Sequence, residues 1–378
     1  CESVLHFNNA GDALTPAPVL DMVIGHLRRE AEIGGYEAAA EARDALSRTY
    51  DSAAKLVGGA ADEIAFVENA TRAWDMAFYG FDWKPGDRIL TAQSEYVSNY
   101  IAYLQVARRY GAEVVPVPDD ADGQISIDAL EGLIDARTKL IAITHIPTNG
   151  GLVNPAAAVG RVARAHGIPF LLDACQSIGQ IPVNVDDIGC DMLSATGRKY
   201  LRGPRGTGFL WVRRNWIEKL EPPFLDLHAA KWTGPDSYEI RTDARRFENW
   251  EYYVAGRLGL GAAIDYALVL GLPDIRDAVY ARATRLRAGL SAIPDVTIRD
   301  MGREKCGIVS FTTGSHDPQA IKRAMAAQRI NVTVSGRSST LLDMTARGLE
   351  TVVRASVHYY NTDAEVDRFC AAVEALGR

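Results

Sequence analysis

The sequence lacks the signatures of most binding chemistries. Its five cysteines, Cys1, Cys175, Cys190, Cys306 and Cys370, form no CxxC pair and share no metal-like spacing with any of the seven histidines. Neither a disulfide framework nor a metal site is expected; the thiols read as free, mostly buried, and kept in a reducing compartment. There is no HExxH, no GxxxxGK[ST], and not a single Gly-Lys pair, so no phosphate-binding loop of that kind is present. The nearest thing to a dinucleotide fingerprint, Gly259-Leu260-Gly261, has neither a third glycine nor a strand before it, and reads as close helix packing. Lys and Arg number 41 against 48 Asp and Glu, a net charge of −7, and no long basic block occurs, so a nucleic-acid partner is not expected. No apolar run approaches the roughly 18 residues of a membrane span. The opening CESVLHFNNAGDAL has no cationic flank followed by an apolar run, so no signal peptide and a cytoplasmic protein are expected.

What is present is an alternation. After a helix-starting Pro18, Leu20, Val23, Ile24 and Leu27 recur at helical spacing and predict an amphipathic helix over 18–31; an alanine-rich helix over 37–57 stops at Gly58-Gly59. Apolar runs at 63–68, 88–92, 113–117, 139–146, 169–174, 191–195 and 208–212 then alternate with helix-length segments such as 97–110, 126–136 and 155–166. That order predicts an α/β large domain with a mostly parallel seven-stranded sheet covered on both faces. Past a linker with Pro222, Pro223, Gly234 and Pro235, helices over 252–270 and 274–291 lead into runs at 306–313, 330–336 and 352–360 with a helix at 317–328 and another to 376, a smaller α+β layer. The expected division is an N-terminal segment, 1–17, packing with the small domain, a large domain over 18–252, and a small domain over 253–378.

In open α/β sheets ligands bind beyond the C-terminal ends of the strands. Here those ends are polar: Asn69-Ala70-Thr71-Arg72, Ser94-Glu95-Tyr96, His145-Ile146-Pro147-Thr148-Asn149, Asp173-Ala174-Cys175-Gln176 and Thr196-Gly197-Arg198-Lys199. These groups suit pyridoxal phosphate. That cofactor needs a lysine for its aldehyde, a carboxylate to keep its ring nitrogen protonated, small polar groups for its phosphate, and a flat side chain over its ring. Asp173 and Lys199, each closing a buried strand, meet the first two demands.

From HFNNAGDALTP near the start to VHYYNTDAEVDRF near the end, the chain resembles the class V aminotransferase family of pyridoxal-phosphate enzymes, which includes the cysteine desulfurases. The resemblance implies fold type I, a homodimer with active sites at its interface, and a small amino-acid substrate. It implies Lys199 as Schiff-base lysine and acid/base, Asp173 as the pyridinium partner, and Gln176 at the cofactor's phenolic oxygen. Ala70, Thr71, Thr196 and Arg198 fall on the phosphate cup, and Tyr96 where a ring stacks on the cofactor. Thr148 falls near the phenolic oxygen or substrate, Arg354 where the substrate carboxylate is gripped. Asn9, Trp250 and Arg337 are further candidates for the substrate pocket, with Trp74 and Asn99 beside them.

Two departures bear on the reaction. The desulfurase branch has a histidine over the ring and a nucleophilic cysteine on a loop before the arginine; here stand Tyr96 and SGRSSTLLD, 335–343, without cysteine. Where relatives have a Gly-Thr-Pro turn after Arg-Phe-Glu, this chain has Asn249-Trp250-Glu251. The segments HLRREAEIGGYEAAAEAR and RKYLRGPRGTG resemble C–S lyases of the hercynylcysteine sulfoxide lyase kind. C–S lysis of an S-substituted cysteine or its sulfoxide is therefore the first expectation. Transamination, epimerisation and cofactor binding without turnover are the alternatives.

Overall fold

The computed structural model describes residues 4–377, so Cys1 lies outside the described residues. Seven strands form the main sheet in the order Ile64–Val67, Gly208–Val212, Met192–Thr196, Phe170–Asp173, Thr138–Thr144, Arg88–Ala92, Glu113–Val117. Only Gly208–Val212 runs against its two neighbours; the other pairings are parallel. Four of these strands are buried along their whole length, as a sheet covered on both faces requires. Apolar side chains pack on each face in two separate clusters, one including Ile141, Leu172 and Leu193 and the other Leu140, Leu171 and Met192, as the alternation of side chains along a strand dictates.

A four-stranded antiparallel sheet, Val296–Ile298, Ile308–Thr313, Thr351–Ser356, Thr333–Gly336, builds the C-terminal layer. The chain's start joins it: Leu5–His6 pairs in parallel with Ile330–Asn331, and Asn8 bridges to Ser356. Helix Val254–Leu270 packs on both Ala17–Ile33 and Arg43–Val57. Gly259 and Gly261 serve that contact. A Cβ at Gly259 would stand 2.5 Å from Val23 Cγ2, and one at Gly261 would stand 2.6 Å from Thr49 Cγ2.

Three expectations are corrected by the packing. Helix Ala17–Ile33 turns Val19 and His26 inward, with Val23 against Gly259, so Leu20 and Leu27 remain 48% and 42% exposed and Ile24 is also at the surface. The alanine-rich segment is two helices, Gly35–Glu41 and Arg43–Val57, the second ending at a left-handed Gly58. The proline-containing linker holds a hairpin, Ala230–Gly234 with Ser237–Ile240, whose Trp232 and Tyr238 are exposed. No single described helix is long and apolar enough to cross a membrane.

Candidate active site

The carboxyl ends of the parallel strands share one edge, and the polar strand ends meet there. Asp173 closes Phe170–Asp173 and is buried. Its Oδ1 accepts from the Cys175 amide at 2.8 Å and its Oδ2 from Asn99 Nδ2 at 2.9 Å. Burial raises the Asp173 pKa, while the Asn99 and Cys175 hydrogen bonds and the charge of Lys199 oppose the rise. Lys199, in the turn after Met192–Thr196, is buried as well. The Cys175 thiol, half-buried beside it, is pushed up by desolvation.

The turn carrying Lys199 is held by the residues that follow. Arg202 adopts a left-handed φ of 61°, where a non-glycine residue is strained. Its amide donates to the Lys199 carbonyl at 2.9 Å, and its guanidinium donates to Leu14 O and to the Tyr359 hydroxyl, both at 2.7 Å, while covering the Tyr360 ring.

Arg354 lies in the middle of Thr351–Ser356 and is buried. Its Nη1 donates to Thr148 Oγ1 at 2.7 Å and Thr148 O at 3.1 Å, and Nη2 to Asn8 Oδ1 at 3.4 Å. Every one of these acceptors is neutral, and Nε has no partner. Desolvation draws its pKa down to about 10, with the charge of Arg198 adding to the effect. A buried guanidinium without an acid partner is an open receptor for a carboxylate.

The remaining expected residues divide. Gln176 donates to Ala10 O at 3.0 Å and leaves its buried Oε1 without a partner. Ala70 and Thr71 open helix Ala70–Phe78, whose amide of Arg72 is capped by Asn69 at 2.9 Å; the first-turn N–H groups and the helix dipole suit an anion. Thr196 Oγ1 donates to Thr207 O at 3.3 Å. Tyr96 is half-buried at the start of Val97–Tyr110. Arg198 turns its guanidinium onto the Gly11 carbonyl, so within this chain it clamps the N-terminal strap.

Three expectations about the substrate pocket are corrected. Asn9 is fully buried, and its amide donates to Ser356 O at 2.7 Å while its oxygen takes the Tyr360 hydroxyl; the residue beside Arg354 is Asn8. Arg337 pairs with Glu350 at 2.6 Å and donates to Leu349 O at 2.9 Å, so its charge is already answered inside its own loop. Trp250 is half-exposed and lines a separate cavity of about 880 Å³ with Tyr36, His228, Tyr252 and Tyr253. Trp74 is a core residue stacked near Phe78.

Sequence reasoning missed two roles. Asn149 donates to Thr340 Oγ1 at 2.9 Å and Gly336 O at 3.3 Å, tying the 336–344 segment to the strand edge. Glu95 is a second buried acid, reached from Asp173 through Asn99 at 2.9 Å on each side. The pairing of Glu95 with Asn99, four apart at a helix start, was the available signal.

The site therefore offers a buried amine, a buried carboxyl, an unpartnered amide oxygen, an unanswered guanidinium and a helix N-terminus. Pyridoxal phosphate fits each of these groups. The family model described as aminotransferase class V matches residues 5–369. A probable cysteine desulfurase of Methanothermobacter thermautotrophicus is 28% identical over 378 residues, covering 98% of this chain and 94% of its own. The apo cysteine desulfurase of Thermococcus onnurineus NA1 superimposes with a TM-score of 0.92 at 27% identity, over 99% of this chain and 95% of that one. The cystine C–S lyase C-DES shares the fold, with a TM-score of 0.88 at 22% identity over 98% and 97% of the two chains. With the match spanning both sheets and the strand edge that carries Asp173, Lys199 and Arg354, this chain belongs to the class V aminotransferase family and is a pyridoxal-phosphate enzyme.

Proposed function

We propose that the enzyme cleaves the C–S bond of an S-substituted cysteine or cysteine sulfoxide. The observation that carries this reading is the 335–343 segment. It is tethered at the site by Asn149 yet contains no thiol. A desulfurase must pass sulfur to a nucleophilic thiolate. Among the described cysteines, Cys190 and Cys306 are buried in the core with their thiols pushed up by desolvation, Cys370 lies on helix Asp363–Glu374, and Cys175 is raised beside Lys199. With no acceptor, sulfur leaves still bonded to its substituent. Relatives named as cysteine desulfurases, and a structural neighbour named as a cystine C–S lyase, lend support to chemistry at that bond.

Bound pyridoxal phosphate supplies an electron sink for charge developing at the substrate's Cα. Arg354 grips the α-carboxylate in a bidentate pair, with Thr148 and Asn8 fixing the guanidinium's orientation. Lys199 anchors the cofactor, and its Nζ takes the Cα proton and returns a proton to the departing sulfur. Asp173 would keep the ring nitrogen protonated, and Tyr96 would lie against the ring; Ala70, Thr71 and Thr196 would hold the phosphate and Gln176 the phenolic oxygen. For a thioether the balance is RS–CH2–CH(NH2)–COOH plus water giving RSH, pyruvate and ammonia. Residues 18–252 form the cofactor domain, the described residues from 253 to 377 the small domain, and 4–17 a strap packed with the small domain.

The working unit is a homodimer. The exposed Leu20, Ile24 and Leu27 face, together with the aromatic rim of Tyr36, Trp250 and Tyr253, is the apolar surface that a second copy covers. The testing experiment is pyruvate release from a panel of S-substituted cysteines and their sulfoxides, with and without a 2-oxo acid. Multiple turnovers without the oxo acid are expected; turnover only in its presence would make this an aminotransferase.

A further inference from the structure

Behind Asp173 lies a second carboxyl that the reaction outlined above does not use. Glu95 is 3% exposed and Asp173 5% exposed, and one nitrogen, Asn99 Nδ2, stands 2.9 Å from an oxygen of each. The two hydrogens of that amide are therefore divided between two acids. No lysine, arginine or histidine is among the hydrogen-bond partners of Glu95, which are Thr91, the Tyr96 amide, Asn99 and Thr144. Two carboxylates sharing a dry pocket cannot both ionise at ordinary cost.

We propose that Glu95 and Asp173 share one proton across Asn99, with Glu95 holding it so that Asp173 stays anionic toward the cofactor's ring nitrogen. Glu95 is thus a positioning residue, and the assignment rests on the cofactor reading above. The contacts decide which acid is protonated. Placing the proton on Glu95 Oε2 asks only that the Thr91 hydroxyl, the donor to Oε2 at 3.1 Å, turn and accept instead; Oε2 still accepts from the Thr144 amide at 3.0 Å. Oε1 goes on accepting from the Tyr96 amide at 2.8 Å, from Asn99, and from the Thr144 hydroxyl. Asp173 has no hydroxyl partner; its partners are two N–H donors, which favour the anion. The charge of Lys199 acts on Asp173, whereas the charge acting on Glu95 is that of Asp173 itself.

The groups facing the pair are Tyr103, whose phenol burial pushes up, Cys175, held protonated by burial, and Lys199. Burial raises Glu95 to about 7, so the proton is present at mildly acid pH and lost on the alkaline side. Above that point a second anion beside Asp173 tightens its hold on the ring-nitrogen proton.

Infrared spectra of the holoenzyme test this directly. A protonated-carboxyl C=O band is expected at about pH 6 and is expected to fade by about pH 8, with Glu95→Gln lacking it and Asp173→Asn retaining it. A band that persists in Glu95→Gln and vanishes in Asp173→Asn would assign the proton to the wrong partner and overturn the proposal. Asn99→Ala breaks the bridge while leaving both acids; cofactor affinity is expected to fall about tenfold, as for a buried carboxylate that loses a hydrogen bond. Unchanged affinity and an unchanged band in that variant would also overturn it. A wild-type protein that takes up no cofactor overturns both this proposal and the reading beneath it; one that binds cofactor with the band misplaced overturns only this one.

Discussion

Arg354 Nη1 rests 2.7 Å from the Thr148 hydroxyl, joining the C-terminal layer to the edge of the main sheet through a cation that meets only neutral acceptors. Arg354→Lys keeps the charge and loses the fork that matches a carboxylate. KM for the amino acid is expected to rise roughly tenfold to a hundredfold, the effect of one or two charge-assisted hydrogen bonds, with cofactor affinity unchanged. Steady-state kinetics alongside a cofactor titration check this. A KM that does not move would remove Arg354 from the substrate site.

Lys199→Ala is expected to abolish both the visible absorbance of the lysine-bound cofactor and pyruvate release, since no second lysine closes a strand at this edge. Absorbance spectroscopy and a pyruvate assay on the same preparation settle the matter. Residual turnover at the wild-type level would exclude Lys199 as the proton carrier.

Stability is expected to fall on acidification. His145 and His358 are buried, and desolvation lowers their pKa values to about 4 and about 3. A histidine whose folded pKa is depressed takes up its proton more readily when unfolded. Its contribution is therefore full above about pH 6.5 and lost as pH falls toward the folded value. Between about pH 6.5 and 5 each histidine weakens the fold by up to about 2 kcal/mol. Urea denaturation across that interval should show the loss, and His358→Gln should flatten part of it. An identical slope in the variant would mean that the acid sensitivity lies elsewhere.

The outward face of helix Ala17–Ile33 predicts a change of assembly. Leu20→Glu with Leu27→Glu places two charges on a face that is open in the isolated chain, so the fold of one copy is expected to survive. Each leucine is already about half covered in one copy, so its further burial contributes roughly 0.7–1.5 kcal/mol; losing both and burying two charges instead should dissociate the dimer. Sedimentation velocity distinguishes the outcomes. A double variant that still sediments as a dimer would place the interface on another face.

Most of the main sheet was legible because strands buried on both sides are written as continuous apolar runs. The expected spans 88–92 and 208–212 coincide with buried strands, and 113–117 with the half-buried edge strand, where the β-branched valines carried the signal. The strand-end polar residues stood out for the same reason: Asp173 and Lys199 fall where the apolar runs stop. The rotation of helix Ala17–Ile33 was not legible, because its inward face is chosen by the glycines of a helix more than two hundred residues away, at Gly259 and Gly261. The exposed hairpin at 230–240 was hidden by Pro235 in its turn and by the absence of a buried face. Asn8 and Asn9 are indistinguishable in sequence. Which of the two faces Arg354 depends on the pairing of Leu5–His6 with Ile330–Asn331.

The strap also fixes when the site can exist. Gly11 receives Arg198, Ala10 receives Gln176, Leu14 receives Arg202, and Asn9 is gripped by Ser356 and Tyr360. The strap thus draws on two distant stretches, residues 176–202 beside the main sheet and Ser356 with Tyr360 in the C-terminal layer. The main sheet alone can hold the strap at Ala10, Gly11 and Leu14, whereas Asn9 is gripped only once Thr351–Ser356 is in place. The finished cradle therefore exists only when the two layers are docked, so cofactor capture and layer docking are coupled steps of folding.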